Sequence, residues 1–351
     1  MKEKLHAASR VEKRWNKASS HLLWTSLLCG VICLLMMPMS AFGDAHTIGE
    51  DLFGVSFPEA GQGWVCGRYG VIYHSTDGGA TWEAQNTGTR ATLTSVFFVD
   101  SKSGWAVGDA STIIHTEDGG NTWAPQESPV ENFYLMDVFF VSPDKGWIVT
   151  EKTYILYTDN GGKTWTVQFS DQDFILKAVS FSDPVNGWAV GEYGYTYHTD
   201  DGGAHWQWQA GEFGQDMQTG KIIAGNYLFG VTAVDAHRAW AVGIDGHVVT
   251  TTDGGGTWQT IQTGLGKVAL KSVTTDRSGQ MVAIAGKEGI WVSMDEGKTW
   301  TKPSFQPPIG YRWFYRIAPK ETFGFAVVGM EGSIYHNDGP SLSGTWQSIG
   351  K

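Results

Sequence analysis

An eight-residue motif that recurs along the chain constrains the fold more than any other feature of the sequence. Its pattern is Ser/Thr-x-Asp-x-Gly-x-Thr-Trp, and Asn or His replaces one residue in two of the copies. Six regular copies end at tryptophan residues, which are Trp82, Trp123, Trp165, Trp206, Trp258 and Trp300. A seventh copy runs from Asn337 to Trp346 and contains inserted residues. Self-similarity at intervals of mostly 41 or 42 residues predicts an array of equal structural units.

The motif has the composition of a hairpin turn. The acidic or amide side chain can accept hydrogen bonds from the backbone N–H groups that follow it. The glycine two residues later can adopt a conformation that a Cβ atom penalises, and the threonine then starts a new strand. We therefore interpret the third residue of each motif as a structural staple and not as a ligand-binding group. These residues are Asp77, Asp118, Asn160, Asp201, Asp253 and Asp295.

A second motif, Gly-Trp-x-Val-Gly, precedes the first at a fixed distance. Its tryptophan lies 18 residues before the final tryptophan of the turn motif in the first five repeats. These second-strand tryptophans are Trp64, Trp105, Trp147, Trp188 and Trp240. The same spacing places Val282 in this slot of the sixth repeat and leaves Phe325 and Ala326 as alternatives in the seventh. A valine or isoleucine nine residues earlier marks the centre of one more strand in each repeat.

Each repeat predicts four short strands, because turn residues punctuate the sequence every six to ten positions. A four-stranded unit of this size cannot bury both of its faces, so it must pack against copies of itself. Radial packing of seven such units predicts an all-β fold, a seven-bladed β-propeller of four-stranded antiparallel blades. A linear solenoid is the alternative. Twelve of the fifteen tryptophans after residue 43 occupy the two repeat positions, so aromatic burial between blades is the expected main source of stability.

The first 43 residues differ from the repeats and predict a signal peptide. Six basic residues precede an apolar run, residues 22–37, and small residues follow at 41–43. An uncleaved anchor is the alternative. The propeller is then residues 44–351, which we expect in the periplasm or outside the cell. Without the leader, which holds six basic and two acidic residues, the formal charge moves from −11 to −15. This charge argues against nucleic acid as a partner.

The turn motif resembles the Asp-box of BNR repeats. Seven Gly-Trp-x-Val-Gly/Asp-box units behind an export signal resemble the photosystem II stability/assembly factor family, and the resemblance covers residues 50–350. It implies a non-enzymatic propeller that binds membrane-protein intermediates during assembly, in the thylakoid lumen if the host is photosynthetic. Photosynthetic members carry an arginine-rich docking patch, whereas this chain has six arginines after residue 43. The resemblance therefore predicts the scaffold and leaves the identity of the partner open.

The turns between the second and third strands share one face with the links between blades. Six of these seven turns carry a carboxylate and one carries an arginine, which suggests an acidic ring for binding a partner. The residues are Arg68, Asp109, Glu151, Glu192, Asp245, Glu288 and Glu331. The alternative is that Asp-Gly and Glu-Gly pairs simply suit tight turns.

Two links between blades are longer than the others, and insertions in repeat proteins often carry the specificity. The fourth link contains Trp208 and Phe213, and the sixth contains Tyr311, Arg312 and Trp313. We predict that these side chains form part of a partner-binding surface. The alternative is that they are passive covers.

The sequence predicts no catalytic residue, no cofactor and no metal site, and a monomer without a small-molecule substrate is expected. His74, His115, His198 and His336 precede Asp-boxes, but equivalent positions on successive blades are too far apart to share one ion. Cys66 takes the place of a buried valine, so we do not expect a nucleophile. The alternative functions are a sialidase-like glycoside hydrolase and a glycan-binding propeller. A sialidase needs a cluster of three arginines, and only the sequence around Arg316 resembles its arginine motif.

Overall fold

The computed structural model describes residues 48–59, 61–320, 324–339 and 342–348. In these ranges the chain forms β-strands and short 3-10 turns, and no helix is long and apolar enough to cross a membrane. The predicted signal peptide, residues 1–43, lies outside the described residues. The predicted all-β fold, a seven-bladed propeller of four-stranded antiparallel sheets, is confirmed.

The first four blades are regular antiparallel meanders, in which the first strand lies innermost and the fourth outermost. Blade 1 contains β1 (Leu52–Glu59), β2 (Gln62–Gly67), β3 (Ile72–Ser75) and β4 (Glu83–Gln85). Blade 2 contains β5 (Leu93–Phe98), β6 (Gly104–Gly108), β7 (Ile113–Thr116) and β8 (Ala124–Gln126). Blade 3 contains β9 (Leu135–Phe140), β10 (Gly146–Thr150), β11 (Tyr154–Thr158) and β12 (Thr166–Ser170). Blade 4 contains β13 (Leu176–Phe181), β14 (Gly187–Gly191), β15 (Thr196–Thr199) and β16 (Gln207–Ala210).

The later blades depart from this pattern at their outer edges. A separate hairpin, β17 (Phe213–Gln215) and β18 (Ile222–Ala224), lies between blades 4 and 5. Blade 5 contains β19 (Leu228–Ala233), β20 (Ala239–Gly243), β21 (Val248–Thr251) and β22 (Gln259–Thr260). Blade 6 contains β23 (Leu270–Thr275), β24 (Val282–Gly286) and β25 (Gly289–Ser293). Blade 7 contains β27 (Phe314–Pro319), β28 (Phe325–Gly329), β29 (Ile334–Asn337) and β30 (Trp346–Ser348), with β26 (Phe305–Gln306) added parallel to β30.

The propeller has two distinct faces. We call the face with the inter-blade links and the turns between second and third strands the link face. In five blades this turn is a 3-10 turn. These turns are Arg68–Gly70, Asp109–Ser111, Glu192–Gly194, Ile244–Gly246 and Met330–Gly332. We call the opposite face, which carries the Asp-boxes, the box face.

Strand pairing corrects the predicted register of the sixth repeat. Val282 pairs with Ser293, the first residue of its Asp-box, so Ala283 and not Val282 occupies the slot of the second-strand tryptophan. The prediction was wrong because the turn that follows this strand is one residue shorter than in the other blades. In blade 7, Ala326 pairs with His336 and therefore fills the slot that the sequence left open.

Buried indole rings hold neighbouring blades together. All five second-strand tryptophans are buried, as their repeated position in the sequence predicted. The Trp105 ring stacks at 3.6 Å on Phe140 of the next blade and at 4.6 Å on His115 of its own blade. The Asp-box tryptophans are buried or half-buried against the preceding blade. Buried aromatic side chains therefore connect each of these blades with its neighbour.

A hydrogen-bonded junction accompanies these rings. The indole N–H of Trp105 and the amide of Gln126 both donate to the carbonyl of Gly161 in the next blade, at 3.1 and 2.9 Å. The Gln126 amide oxygen in turn accepts the indole N–H of Trp165 at 3.1 Å. The glutamine lies three residues after the box tryptophan, and Gln85, Gln168 and Gln209 take the same position. Four junctions between blades therefore share one hydrogen-bonding glutamine, which the sequence did not lead us to predict.

The Asp-box closes the turn as the sequence predicted. The side chain of its third residue accepts hydrogen bonds from the residue four positions later. The Asp118 carboxylate accepts the backbone N–H of Thr122 at 2.8 Å and the Thr122 hydroxyl at 2.7 Å. The Thr116 hydroxyl donates to Asp118 at 2.8 Å and accepts the N–H of Gly120 at 2.8 Å. Gly120 has a φ of +87°, and a Cβ atom there would lie 2.0 Å from Gln85. The glycine thus serves the turn and the close approach of two blades.

Among the described residues, blades 1 and 7 exchange no strand with each other where the ring closes. The N-terminal residues take the place of a seventh link. The N–H of Gly332 donates to the carbonyl of Glu50 at 2.8 Å, and the N–H of Glu331 donates to the Asp51 carboxylate at 3.0 Å. Ile48 is buried with blade 7 residues, including Ala326.

We expect Trp105→Ala to lower the free energy of unfolding by about 3–5 kcal/mol, because it removes a fully buried ring from the junction of blades 2 and 3. Urea denaturation of the variant and the wild type measures this loss. Trp208→Ala is the control, because that side chain is 57% exposed and its loss should cost less than about 1 kcal/mol. Equal losses of unfolding free energy in the two variants would contradict a stabilising role of the aromatic rings buried between blades.

The Asp-boxes predict a loss of stability in acid. Hydrogen bonds from the Thr299 side chain and backbone lower the pKa of Asp295 to about 2, and those from His205 lower the pKa of Asp201 to about 2. A lowered pKa stabilises the fold above the ordinary value of about 4, and this contribution is lost as pH falls towards 2. Asn160 makes the same turn without a titrating group, with its side-chain oxygen 3.0 Å from the Thr164 N–H.

A variant with asparagine at all five box aspartates should therefore lose less stability than the wild type between about pH 5 and about pH 2. The substituted residues are Asp77, Asp118, Asp201, Asp253 and Asp295. Urea midpoints measured across this range test the expectation. If the urea midpoints of the two proteins fall equally with pH, the box aspartates are not the cause of the loss of stability in acid.

Candidate binding surface on the link face

The link face has a rigid backbone, because each turn there is hydrogen-bonded to the following link. The N–H of Ser111 donates to the carbonyl of Phe133 at 2.7 Å, and that of Gly246 donates to Val268 at 2.6 Å. The middle residue of these turns has a positive φ, for example 60° at Tyr69. The third residue is often glycine, and a Cβ atom on Gly70 would lie 2.3 Å from the Thr89 carbonyl oxygen. Side chains on these turns are therefore held in fixed positions.

The predicted acidic ring occupies two different positions of these turns. Arg68, Asp109, Glu151 and Glu192 take the first position, whereas Asp245, Glu288 and Glu331 take the second.

Residues at the first position interact with nearby structure. Glu151 accepts the N–H of Tyr134 at 3.2 Å, and Glu192 accepts that of Ile175 at 3.2 Å. Asp109 accepts the N–H of Ala110 at 2.7 Å, and Arg68 pairs with Asp51 at 3.0 Å. These contacts give the first-position side chains a structural role.

Basic groups offset part of this negative charge near the axis of the propeller. Lys177 and Lys271 are the second residues of the innermost strands β13 and β23. Burial lowers the pKa of Lys177, which Glu192 and Glu151 raise in part. Burial also lowers the pKa of Lys271, and the charge of Lys177 lowers it further. The Lys271 ammonium lies 3.8 Å from the centre of the Phe229 ring.

The long fourth link forms the β17–β18 hairpin, which stands on the link face. Phe213 packs 4.3 Å from the ring of Tyr193 and 5.7 Å from Phe174. The Asp216 carboxylate accepts two backbone N–H groups and fixes the tip of the hairpin. Met217 is 92% exposed there, so the hairpin presents an apolar end to solvent. Trp208 is not part of it, because it lies on the outermost strand of blade 4.

The long sixth link separates its predicted residues into two groups. Arg312 pairs with Glu331 at 3.3 Å and donates to the Ser333 hydroxyl at 2.6 Å, so it fastens the link to blade 7. Trp313 lies beside Lys271, whose ammonium is 5.4 Å from the centre of its ring. Tyr311 is 90% exposed and lines a cavity of about 480 Å³ together with Glu288.

A larger cavity of about 840 Å³ lies on the propeller axis, lined by residues from the first strands of all seven blades. Asp276 is the one carboxylate among the described residues of its wall. The two guanidinium N–H groups of Arg316 in blade 7 contact the two oxygens of the buried Asp137 carboxylate in blade 3, at 3.0 and 3.2 Å. It also accepts the Ser95 hydroxyl at 2.8 Å. This ion pair braces the channel and occupies the arginine that resembles a sialidase residue.

The histidines and the cysteine have structural surroundings. His74, His115 and His198 each lie against a second-strand tryptophan, with ring centres 4.3–4.6 Å apart. Burial lowers the pKa of all three histidines. Cys66 is fully buried, and burial raises the pKa of its thiol. Across the part of the chain that the structure describes, no group of three His, Cys, Asp or Glu side chains could hold a metal ion.

The model of the family described as photosynthesis system II assembly factor YCF48 matches the chain three times, over residues 45–127, 81–172 and 122–212. Each match covers about two blades, and successive matches overlap. The chain is a photosystem II assembly factor-like BNR propeller.

Solved structures share the fold of this BNR propeller. YCF48 bound to D1 peptide has 19% identity and a TM-score of 0.67, over 84% of this chain and 93% of that chain. YCF48 from Cyanidioschyzon merolae has 20% identity and a TM-score of 0.66, over 83% and 96%. The GH74 xyloglucanase from Xanthomonas campestris has 12% identity and a TM-score of 0.67, over 87% of this chain and 55% of that chain. Curated protein sequences give no significant match.

Sequence reasoning missed the residues that shape the propeller axis. Lys177 and Lys271 are the charged residues of innermost strands that hold no other charge, and this was the available signal. Asp137 and Arg316 are 179 residues apart, and no local pattern links them. The cavity beside Tyr311 also had a signal, since Pro303 replaces the residue that is glutamine in the first four blades.

We expect Asp137→Ala to destabilise the propeller by about 3–5 kcal/mol, because it leaves Arg316 and Ser95 without their buried partner. The double variant Asp137→Ala/Arg316→Met removes the unpaired charge as well and should recover part of this loss. Urea denaturation of both variants provides the comparison. A single variant as stable as the double variant would show that the pair does not brace the channel.

Proposed function

We propose that this BNR propeller is a non-enzymatic binding protein that holds a protein partner while a membrane or envelope complex is assembled or stabilised. The observation that carries this proposal is the set of apolar side chains that the rigid link face presents to solvent. Tyr311 is 90% exposed, Met217 92%, Ile222 57% and Phe213 45%. Exposed apolar groups of this kind mark interaction surfaces when they are concentrated on one face.

The comparisons support a protein as the ligand. The family is described as an assembly factor, and one similar structure is YCF48 bound to D1 peptide. We extend from these relatives only the class of ligand, a segment of a membrane protein. We also propose that the chain is exported by its N-terminal 43 residues, which places the propeller in the periplasm, outside the cell or in the lumen of a photosynthetic host.

The arginines of this chain favour a different mode of contact from a basic patch. Arg68, Arg238, Arg312 and Arg316 all pair with carboxylates of the propeller itself. Because these four of the six arginines are engaged and residues 44–351 are acidic overall, we propose that apolar contacts dominate binding. A neutral or basic partner segment fits this surface better than an acidic one.

A glycoside hydrolase receives less support. Hydrolysis of a glycosidic bond needs two converging carboxylates, whereas Asp276 is the one carboxylate in the described wall of the axial cavity. The matching xyloglucanase is a longer protein, of which this chain covers 55%. We therefore expect no turnover of sialoside or xyloglucan substrates, and robust turnover would overturn the proposal.

The partner test compares matched substitutions on the two faces. In the link-face variant, aspartate replaces Phe213 and Tyr311. In the control variant, aspartate replaces Val185 and Met294, which are exposed apolar residues on the box face. Each tagged protein is expressed in its host, crosslinked and recovered from solubilised membranes, and the co-purifying membrane proteins are quantified.

We expect one or more membrane proteins to fall by about tenfold with the link-face variant and to remain with the control, because only the first loses the apolar contacts. Circular dichroism and urea midpoints verify that both variants are folded. Identical recovery with both variants would contradict a binding role of the link face.

A further inference from the structure

The fifth residue of each innermost strand lines the axial cavity of about 840 Å³. These positions are equivalent in the seven repeats, but the residues that occupy them differ in chemistry. In blade order they are Ser56, Phe97, Phe139, Ser180, Thr232, Thr274 and Ala318. A role in the repeat alone would not require these differences, so they bear on what the cavity can hold.

The wall of the cavity has an aromatic side and a hydroxyl side. Phe97 and Phe139 come from neighbouring blades, and their ring centres lie 4.9 Å apart. Both rings are half-buried and line the cavity. Thr232 and Thr274 belong to blades 5 and 6, which lie across the axis from blades 2 and 3 in a ring of seven. The cavity therefore sets two phenyl rings against two hydroxyl groups.

The two threonine hydroxyls have unused hydrogen-bonding capacity. Within the described ranges, no hydrogen bond joins the hydroxyl of Thr232 or Thr274 to another group of the protein. The Ser56 hydroxyl, by contrast, accepts the N–H of Phe98 in the next blade at 3.0 Å. Thr274 is only 7% exposed. A buried hydroxyl without a partner costs free energy, and a polar ligand in the cavity would supply that partner.

The cavity has one closed end. Its lining begins at the third residue of the innermost strands, and no described residue from their first two positions belongs to it. At this end the side chain of Arg316 in blade 7 reaches Asp137 in blade 3, on the other side of the axis. The lining finishes where the innermost strands end on the box face, for example at Pro319 and Lys320. A cavity of this form and volume admits the end of a molecule from the box face.

The charged groups of the cavity wall already have partners in the protein. In the described part of the wall they are Asp276, Arg277, Arg316 and Lys320. Arg316 and Lys320 each form an ion pair within the propeller, at 3.0 and 2.6 Å. The Asp276 carboxylate accepts the backbone N–H of Met281 at 2.8 Å, and Arg277 also interacts with the protein. The wall therefore favours an uncharged ligand, because a charged one would lack an uncommitted counter-ion.

We propose that the axial cavity binds the terminal residue of an uncharged oligosaccharide, which enters from the box face. The apolar C–H face of the sugar ring stacks on Phe97 and Phe139, because the faces of phenyl rings are electron-rich. The sugar hydroxyls bond to Thr232 and Thr274, since a hydroxyl group both donates and accepts. An apolar ligand of the same size would leave both threonine hydroxyls unpaired.

This site goes beyond the proposed function, which uses the opposite face of the propeller. It is a binding site and not a hydrolytic one. Asp276 is the one carboxylate in the described wall, whereas cleavage of a glycosidic bond needs two. The sugar is therefore bound intact.

The probe for this proposal is an array of neutral oligosaccharides built from glucose, galactose, mannose or xylose, overlaid with the full-length protein. Isothermal titration calorimetry then measures the affinity of the sugars that bind. The methyl glycoside of the terminal sugar should compete, because the closed cavity takes a chain end. A cyclic oligosaccharide of the same sugar has no end and should not bind. Tight binding of the cyclic form, or no binding of any neutral sugar at millimolar concentration, would overturn the proposal.

Substitutions of nearly equal size locate the site. Thr274→Val should weaken sugar binding by about tenfold, because it removes a hydrogen bond and keeps the shape of the wall. Phe97→Leu keeps an apolar side chain but removes the aromatic face, and should weaken binding by about three- to tenfold. Thr260→Val is the matched control, because Thr260 is an exposed threonine on the outermost strand of blade 5. It should leave the affinity unchanged.

Stability separates a ligand-binding hydroxyl from a structural one. Because the Thr274 hydroxyl has no partner among the described residues, Thr274→Val should not lower the urea midpoint of the sugar-free protein. A lower midpoint would show that this hydroxyl serves the fold, and would overturn its assignment to the sugar.

Other ligands and other sites give distinct results. Selective binding of anionic glycans would overturn the proposal, and so would sugar binding that Thr274→Val leaves unchanged. Sugar binding that is lost in the link-face variant of Phe213 and Tyr311 would place the sugar on the wrong face and overturn it as well. Recovery of membrane proteins should not change with Thr274→Val, so the proposed function stands or fails independently of this site.

Discussion

The propeller depends on the hydrogen-bonded aromatic junction between neighbouring blades. Each single blade has two faces that must be covered, and only another blade of the same shape can cover them. Trp105 fills the space between blades 2 and 3, while Gln126 ties its indole N–H and that of Trp165 to one shared network. The rings of Trp105 and Trp165 therefore contribute apolar area without leaving a buried donor unpaired. Because the contact repeats, the same geometry fixes the angle between successive blades.

Much of the fold could be predicted because its signals are local and repeated. The Asp-box and the second-strand tryptophan lie at constant offsets, so blade number, strand order and the two faces follow from counting residues. Counting placed Val282 instead of Ala283 at the tryptophan position of blade 6. The turn after this strand is one residue shorter than in the other blades, while the spacing of the recognisable motifs is unchanged. It also missed Gln126, because a glutamine on an outer strand acquires its role only when the next blade is in place.

The candidate site was less predictable, since it depends on contacts between distant segments. Topology alone placed the seven turns and the long links on one face. It could not show that Glu151 and Glu192 turn towards link amides, or that Arg312 fastens its link to Glu331. Of the aromatic residues in the predicted set, Phe213 and Tyr311 lie exposed on the link face, and the structure adds the β17–β18 hairpin. Binding surface in this molecule arises where the repeat is interrupted.

The closure between blades 7 and 1 differs from the other junctions. Trp82 has an indole N–H that is buried without a partner among the described residues, and Lys320 donates to the Gly78 carbonyl in place of a glutamine. No peptide bond crosses this seam, and the contacts of Glu50 and Asp51 stand in for the missing link. The circle thus has one joint that can separate without breaking the chain. Noncovalent contacts alone hold these two blades together, so the strength of the closure depends on the hydrogen bonds of Glu50, Asp51 and Lys320.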